Sequence, residues 1–142
     1  DAKVFPLWNG PGTVKVIVID AEKKPANINL ISSVVSAIET NRPIGATVTV
    51  AAAQAIVIDI KLSLTKNDAY TQDQVKDEII KNITGYLQSI AFKQDYVSYA
   101  QIGNVIMSSR GVNDYSNLTV NNGIANIAIG VDQVAVPGVV TL

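Results

Sequence analysis

At 142 residues and 15.1 kDa the chain is long enough for one domain with a sizeable core, and 48% apolar against 16% charged residues excludes disorder for its bulk. Eleven Lys+Arg against twelve Asp+Glu leave no positive excess to hold a phosphate backbone, which argues against general nucleic-acid binding. With no His and no Cys, a Ser-His-Asp triad, a Cys nucleophile, a Cys/His zinc site and a disulfide framework are all excluded. The absence of Cys fits a reducing cytosol and a robust particle component equally well.

The chain starts at Asp1 with no initiator Met and no signal peptide, and reads as a piece of something longer. Nineteen Val and eighteen Ile bias it toward sheet with packed helices. Trp8 to Gly12 is turn chemistry, after which Val14 to Asp20 is a nearly all-apolar run, the pattern of a central strand covered on both faces. Leu30, Ile31, Val34, Val35 and Ile38 form a helical stripe capped by Asn27 or Asn29, and Pro43 stops that helix near Asn41. Thr47–Val50 is a short strand. Ile56 to Leu64 alternates with Val57, Asp59, Lys61, Ser63 and Thr65, a long strand with one wet face. Their closeness predicts an antiparallel hairpin.

Thr71 with Gln74 makes a capping box, Tyr70 with Val75 a hydrophobic staple, and Val75, Ile79, Ile83, Leu87 and Ile90 a buried stripe. Ser98 with Gln101 repeats the box for a shorter helix through Ile102, Val105 and Ile106, stopped by Gly111. Val112 to Val120, the turn Asn122-Gly123 and Ile124 to Ile129 read as a further hairpin, and 131–142 as an edge strand broken by Pro137-Gly138. The expected fold is therefore α+β: a split β-α-β, ferredoxin-like sandwich of antiparallel or mixed sheet with helices on one face, plus an extra C-terminal hairpin. One domain over 1–142 is expected, with 112–142 as a hairpin extension.

Carboxylates are the only acid/base candidates. Asp73 and Asp77 share a helix face, where Lys76, Lys81 and the helix dipole balance them as a solvated surface. No calcium-loop spacing occurs, and Gly10-Pro11-Gly12-Thr13 precedes a strand where a phosphate loop would follow one. Asn82-Ile83-Thr84 and Asn117-Leu118-Thr119 are chance matches to a glycosylation pattern. Trp8, Tyr96, Tyr99 and Tyr115 are scattered aromatics, better suited to packing than to a stacking surface. No catalytic residue, cofactor site or metal site is identified, and no run is long enough to span a bilayer. What remains is a charge-poor surface rich in Asn, Ser, Thr and Ala, suited to permanent burial against partners because neutral groups are cheaper to desolvate than charges.

Several segments in order carry a resemblance. Pro11-Gly12-Thr13-Val14-Lys15-Val16, Arg42-Pro43-Ile44-Gly45-Ala46, Tyr99-Ala100-Gln101-Ile102, Gly111 to Leu118, Ile127-Ala128-Ile129-Gly130 and Val134 to Leu142 together resemble the C-terminal part of the phage baseplate J-like family. The resemblance implies the C-terminal fragment of a wedge subunit in a contractile-tail baseplate of a phage, prophage or phage-like particle. Its implied partners are other wedge and hub proteins and further copies of itself, with no nucleic acid and no membrane span, and its implied place is the virion tail, after synthesis in the bacterial cytoplasm. The family carries over no catalytic residue. Tyr115, Leu118 and Asn122 on the 112–129 segment are the candidate interface residues, with a core role equally open for Leu118. Two alternatives are a small-ligand-binding regulatory domain and a tail-associated carbohydrate-binding module using Trp8 or Tyr99.

Overall fold

The computed structural model describes all residues, 1–142, and places them in two compact units. Unit 1 is Asp1–Ala55 with Asp132–Val134, and unit 2 is Ile56–Val131 with Ala135–Leu142.

In unit 1, β1 (Ala2–Pro6), β2 (Thr13–Val18) and β3 (Thr47–Ala52) form a sheet in the order β1-β2-β3, and α1 (Ile28–Asn41) connects β2 to β3. β2 is central, as its apolar run requires, with Val16, Ile17, Val18 and Ile19 all buried. It pairs antiparallel with β1 and parallel with β3, Val16 facing Val50, so β2-α1-β3 is a crossover unit. Asn27 caps α1, its side chain accepting from the Leu30 N–H at 2.9 Å, and Arg42 is extended ahead of Pro43. Leu30, Ile31, Val34 and Ile38 pack toward Val16, Val18 and Ala26.

Unit 2 is built on β4 (Gln54–Lys66), which lies between β6 (Val112–Val120) and β8 (Gln133–Thr141). Its alternation is clean: Ile58, Ile60 and Leu62 are buried while Val57, Asp59, Lys61, Ser63 and Thr65 are exposed. The buried face meets α2 (Gln72–Ile90) and α3 (Tyr99–Met107). All five residues of the expected α2 stripe are buried, and both halves of the Thr71/Gln74 capping box form. Ser98 caps α3, accepting from the Gln101 N–H. β5 (Tyr96–Val97) and β7 (Ile127–Ala128) add a two-residue ladder.

The α+β class holds, and the sheet arrangement differs from the expected one. The 47–50 and 56–65 strands do not form a hairpin: β3 pairs with β2, β4 pairs with β6, and the strands expected in one split β-α-β sheet are divided between two. The 112–129 hairpin is likewise reduced to its turn. Val120 and Gly123 bridge each other, after which the chain leaves β6 and Ile127 pairs with Val97 of β5. The residues between them, Asn121 and Asn122, both have positive φ, so the turn is centred one residue earlier than expected. The C-terminal edge strand does form, as β8, and Pro137-Gly138 lies inside it. A Cβ on Gly138 would run into the Asp59 carboxylate and the Val57 side chain, so that position has room only for hydrogen.

Candidate functional site

The face of the unit 2 sheet turned away from the helices is the candidate interaction surface. β4 supplies Asp59, Lys61, Ser63 and Thr65, all exposed through the pleat. β6 supplies Ser116 and Asn117 beside them, and the geometry depends on a bulge between the Lys61–Thr119 and Ser63–Ser116 pairs. Asn117 takes the left-handed conformation there, φ 54°, and donates from its side chain to Ser63 Oγ at 3.4 Å. That extra residue lets Tyr115 and Leu118, three apart, both turn inward while their neighbours stay wet. Lys61, Leu62, Ser63, Asn117, Thr119 and Asn122 surround a depression of about 290 Å³ on this face.

One residue that sequence reasoning missed organises the turn. The Asn121 side chain accepts from the Asp59 N–H at 2.8 Å and donates to the Val57 carbonyl at 3.1 Å, while its own N–H donates to the Asp59 carbonyl at 2.8 Å. It thus pairs with β4 in place of another strand residue. The Asp59 carboxylate in turn accepts from the Val139 N–H of β8 at 2.9 Å. The available signal is the Asn-Asn-Gly run, which predicts a turn and not the strand it bonds to.

The three candidate interface residues fall in different environments. Leu118 is 4% exposed and belongs to the core. Tyr115 is half-buried against that core, its hydroxyl over Gly103. Asn122 is exposed at the turn tip. The aromatics do not make a stacking surface: Tyr99 donates its hydroxyl to the Leu118 carbonyl at 2.7 Å, and Trp8 lies in the β1–β2 loop of unit 1 with the Lys15 ammonium 5.3 Å from its ring centre.

A second concavity follows α2 and α3, with Lys81, Asn82, Gly85, Tyr86, Asn104, Val105 and Ser108 along it. Asn82 donates to Ser109 Oγ at 3.0 Å, so the first glycosylation-like match is a packing contact inside a helix. Asp73 and Asp77 are both exposed on α2, and no three acidic side chains gather where a metal could sit. In unit 1, Lys24 is raised above its ordinary pKa by the hydrogen bond and the charge of Glu22, a surface pair at 2.8 Å. No helix is long and apolar enough to cross a membrane.

The fold and surface thus define an α+β chain of two units, with a sheet face in unit 2 that leaves Asp59, Lys61, Ser63 and Thr65 exposed. The model described as Baseplate J-like central domain matches residues 1–52, and the one described as Baseplate J-like protein C-terminal domain matches residues 58–142. The chain belongs to the baseplate J-like family, and the two matches follow the two compact units closely. It is 36% identical over 135 residues to the phage-like element PBSX protein XkdT of Bacillus subtilis (strain 168), covering 90% of this chain and 39% of that protein. It is 35% identical over 147 residues to the protein YqbT of the same strain, covering 99% of this chain and 42% of that one. The chain therefore spans about two fifths of the length of these relatives. Its fold is similar to a chain in the cryo-EM structure of the anti-feeding prophage baseplate, 6-fold symmetrised, with a TM-score of 0.60, 14% identity, and coverage of 88% of this chain and 29% of that one.

Proposed function

We propose that the protein containing this chain is a structural subunit of a contractile-tail baseplate, a wedge component that works through protein–protein contacts and performs no chemistry. The observation that carries this reading is that both compact units, in order, match family models of baseplate J-like proteins. A phage-like element protein among the relatives and a prophage baseplate as structural neighbour support it. The partners are other wedge and hub proteins and further copies of the subunit, and the place is the tail, after synthesis in the host cytoplasm.

The charge-poor surface fits such a role, since burying Ser, Thr and Asn against a partner avoids desolvating ions. On the 112–129 segment the contact is made by the exposed tip at Asn122, with Tyr115 and Leu118 anchoring the strand behind it. The test uses the full-length protein in its source strain: particles are induced, fractionated by sedimentation and analysed by mass spectrometry. Co-sedimentation with tails in a fixed ratio to sheath protein, surviving high salt, is expected. Intact tails that sediment without it overturn the assignment.

A further inference from the structure

Two Asn-Gly pairs occur in the chain, Asn9-Gly10 in unit 1 and Asn122-Gly123 in unit 2. Such a pair can modify itself. The glycine backbone nitrogen loses its proton and bonds to the Asn side-chain carbonyl carbon, ammonia leaves, and a five-membered succinimide results. Water then adds across one of the two imide C–N bonds, opening the ring to aspartate or isoaspartate. Glycine favours the step because no Cβ shields its nitrogen or restricts its approach.

Both asparagines are exposed, and in both pairs the glycine N–H closes a turn: Gly10 donates to the Leu7 carbonyl at 3.2 Å and Gly123 to the Val120 carbonyl at 3.0 Å. While that bond is made, the N–H that must be deprotonated is engaged by a carbonyl and the turn holds the backbone in one conformation. The rate in the folded protein is then set by how often each turn opens.

The anchoring of the two turns is unequal. Around Asn122, Val120 and Gly123 exchange both backbone bonds, Val120 is 1% exposed, and Asn121 makes three hydrogen bonds to Val57 and Asp59 of β4. Around Asn9, every residue from Pro6 to Gly12 is exposed, and the hydrogen bonds of Asn9 and Gly10 stay within Leu7–Thr13, while Gly12 at the foot of the turn accepts from the Thr47 N–H of β3 at 2.8 Å. Leu7 sits there at φ 57°, a conformation that disfavours a bulky side chain. We propose that Asn9 is a spontaneous modification site in the folded protein, and that the Asn121 clamp protects the chemically equivalent Asn122. Modification places a carboxylate next to Trp8 and, in the isoaspartyl form, an extra backbone carbon in the β1–β2 turn.

The test incubates the intact chain in mildly alkaline buffer and follows both sites by peptide mapping, with fragmentation that distinguishes aspartate from isoaspartate. Asn9 is expected to convert several-fold faster than Asn122 in the folded protein, and the two at comparable rates in guanidinium, where turns no longer protect. Asn121→Ala is expected to speed Asn122 by about ten-fold while leaving Asn9 unchanged, because it removes two side-chain hydrogen bonds that hold the turn. Equal rates in the folded chain, or a preference for Asn9 that persists undiminished in guanidinium, overturn the proposal without any variant having to fold.

Discussion

Gly103 lies on the buried side of α3, and a Cβ built there would collide with the Tyr115 hydroxyl while standing 3.4 Å from its ring carbon Cζ. The glycine is therefore required by one oxygen atom on β6. Gly103→Ala is expected to destabilise the chain by about 1–3 kcal/mol, the usual range for an overpacked core. Tyr115→Phe removes the obstructing oxygen and leaves only an ordinary contact, so the double variant should recover most of that loss. Denaturation of the four-member cycle measures it, and additive single effects would rule out the contact as the cause. Gly85 on α2 is a useful contrast: a Cβ there meets nothing within 4 Å, so no neighbour in the chain explains it.

At the scale of elements, helices were the most legible part of the sequence because their signals are local. The Thr71/Gln74 box is reciprocal in the structure, with Gln74 N–H donating to Thr71 Oγ1 at 3.2 Å and Thr71 N–H to Gln74 Oε1 at 2.9 Å. Thr71→Ala should lower stability by about 1 kcal/mol, seen as a reduced denaturation midpoint at unchanged slope. Strand pairing was less legible. The shortness of Ala51-Ala52-Ala53-Gln54-Ala55 predicts a hairpin connection, although it contains none of the Gly, Asn or Asp that a tight hairpin turn demands. Ala53 instead passes the chain from one sheet to the other. β1 gives no strand signal, because an edge strand with Val4 59% exposed and Lys3 half-buried has no hydrophobic alternation. The candidate surface was legible only through the wet residues of β4. The bulge at Asn117 and the Asn121 clamp depend on which strand β6 faces, and that pairing is non-local.

At the scale of the whole molecule the aromatic residues divide usefully. The single Trp, Trp8, lies in unit 1, whereas all five tyrosines, from Tyr70 to Tyr115, lie in unit 2. Tryptophan fluorescence and the near-ultraviolet tyrosine signal therefore report the two units separately. Unit 1 has under 60 residues, a small sheet and an α1 with no fully buried residue, which is near the size where a core alone is marginal. Unit 2 holds Ile79, Ile83 and Ile106, each 1% exposed or less, in one continuous cluster. The tryptophan transition is accordingly expected at lower denaturant than the tyrosine transition. Ile83→Ala should weaken unit 2 by about 2–5 kcal/mol through the cavity it leaves. If the units unfold separately, that variant moves the tyrosine midpoint and leaves the tryptophan midpoint in place. Coincident transitions that shift together would instead make residues 1–142 one cooperative domain.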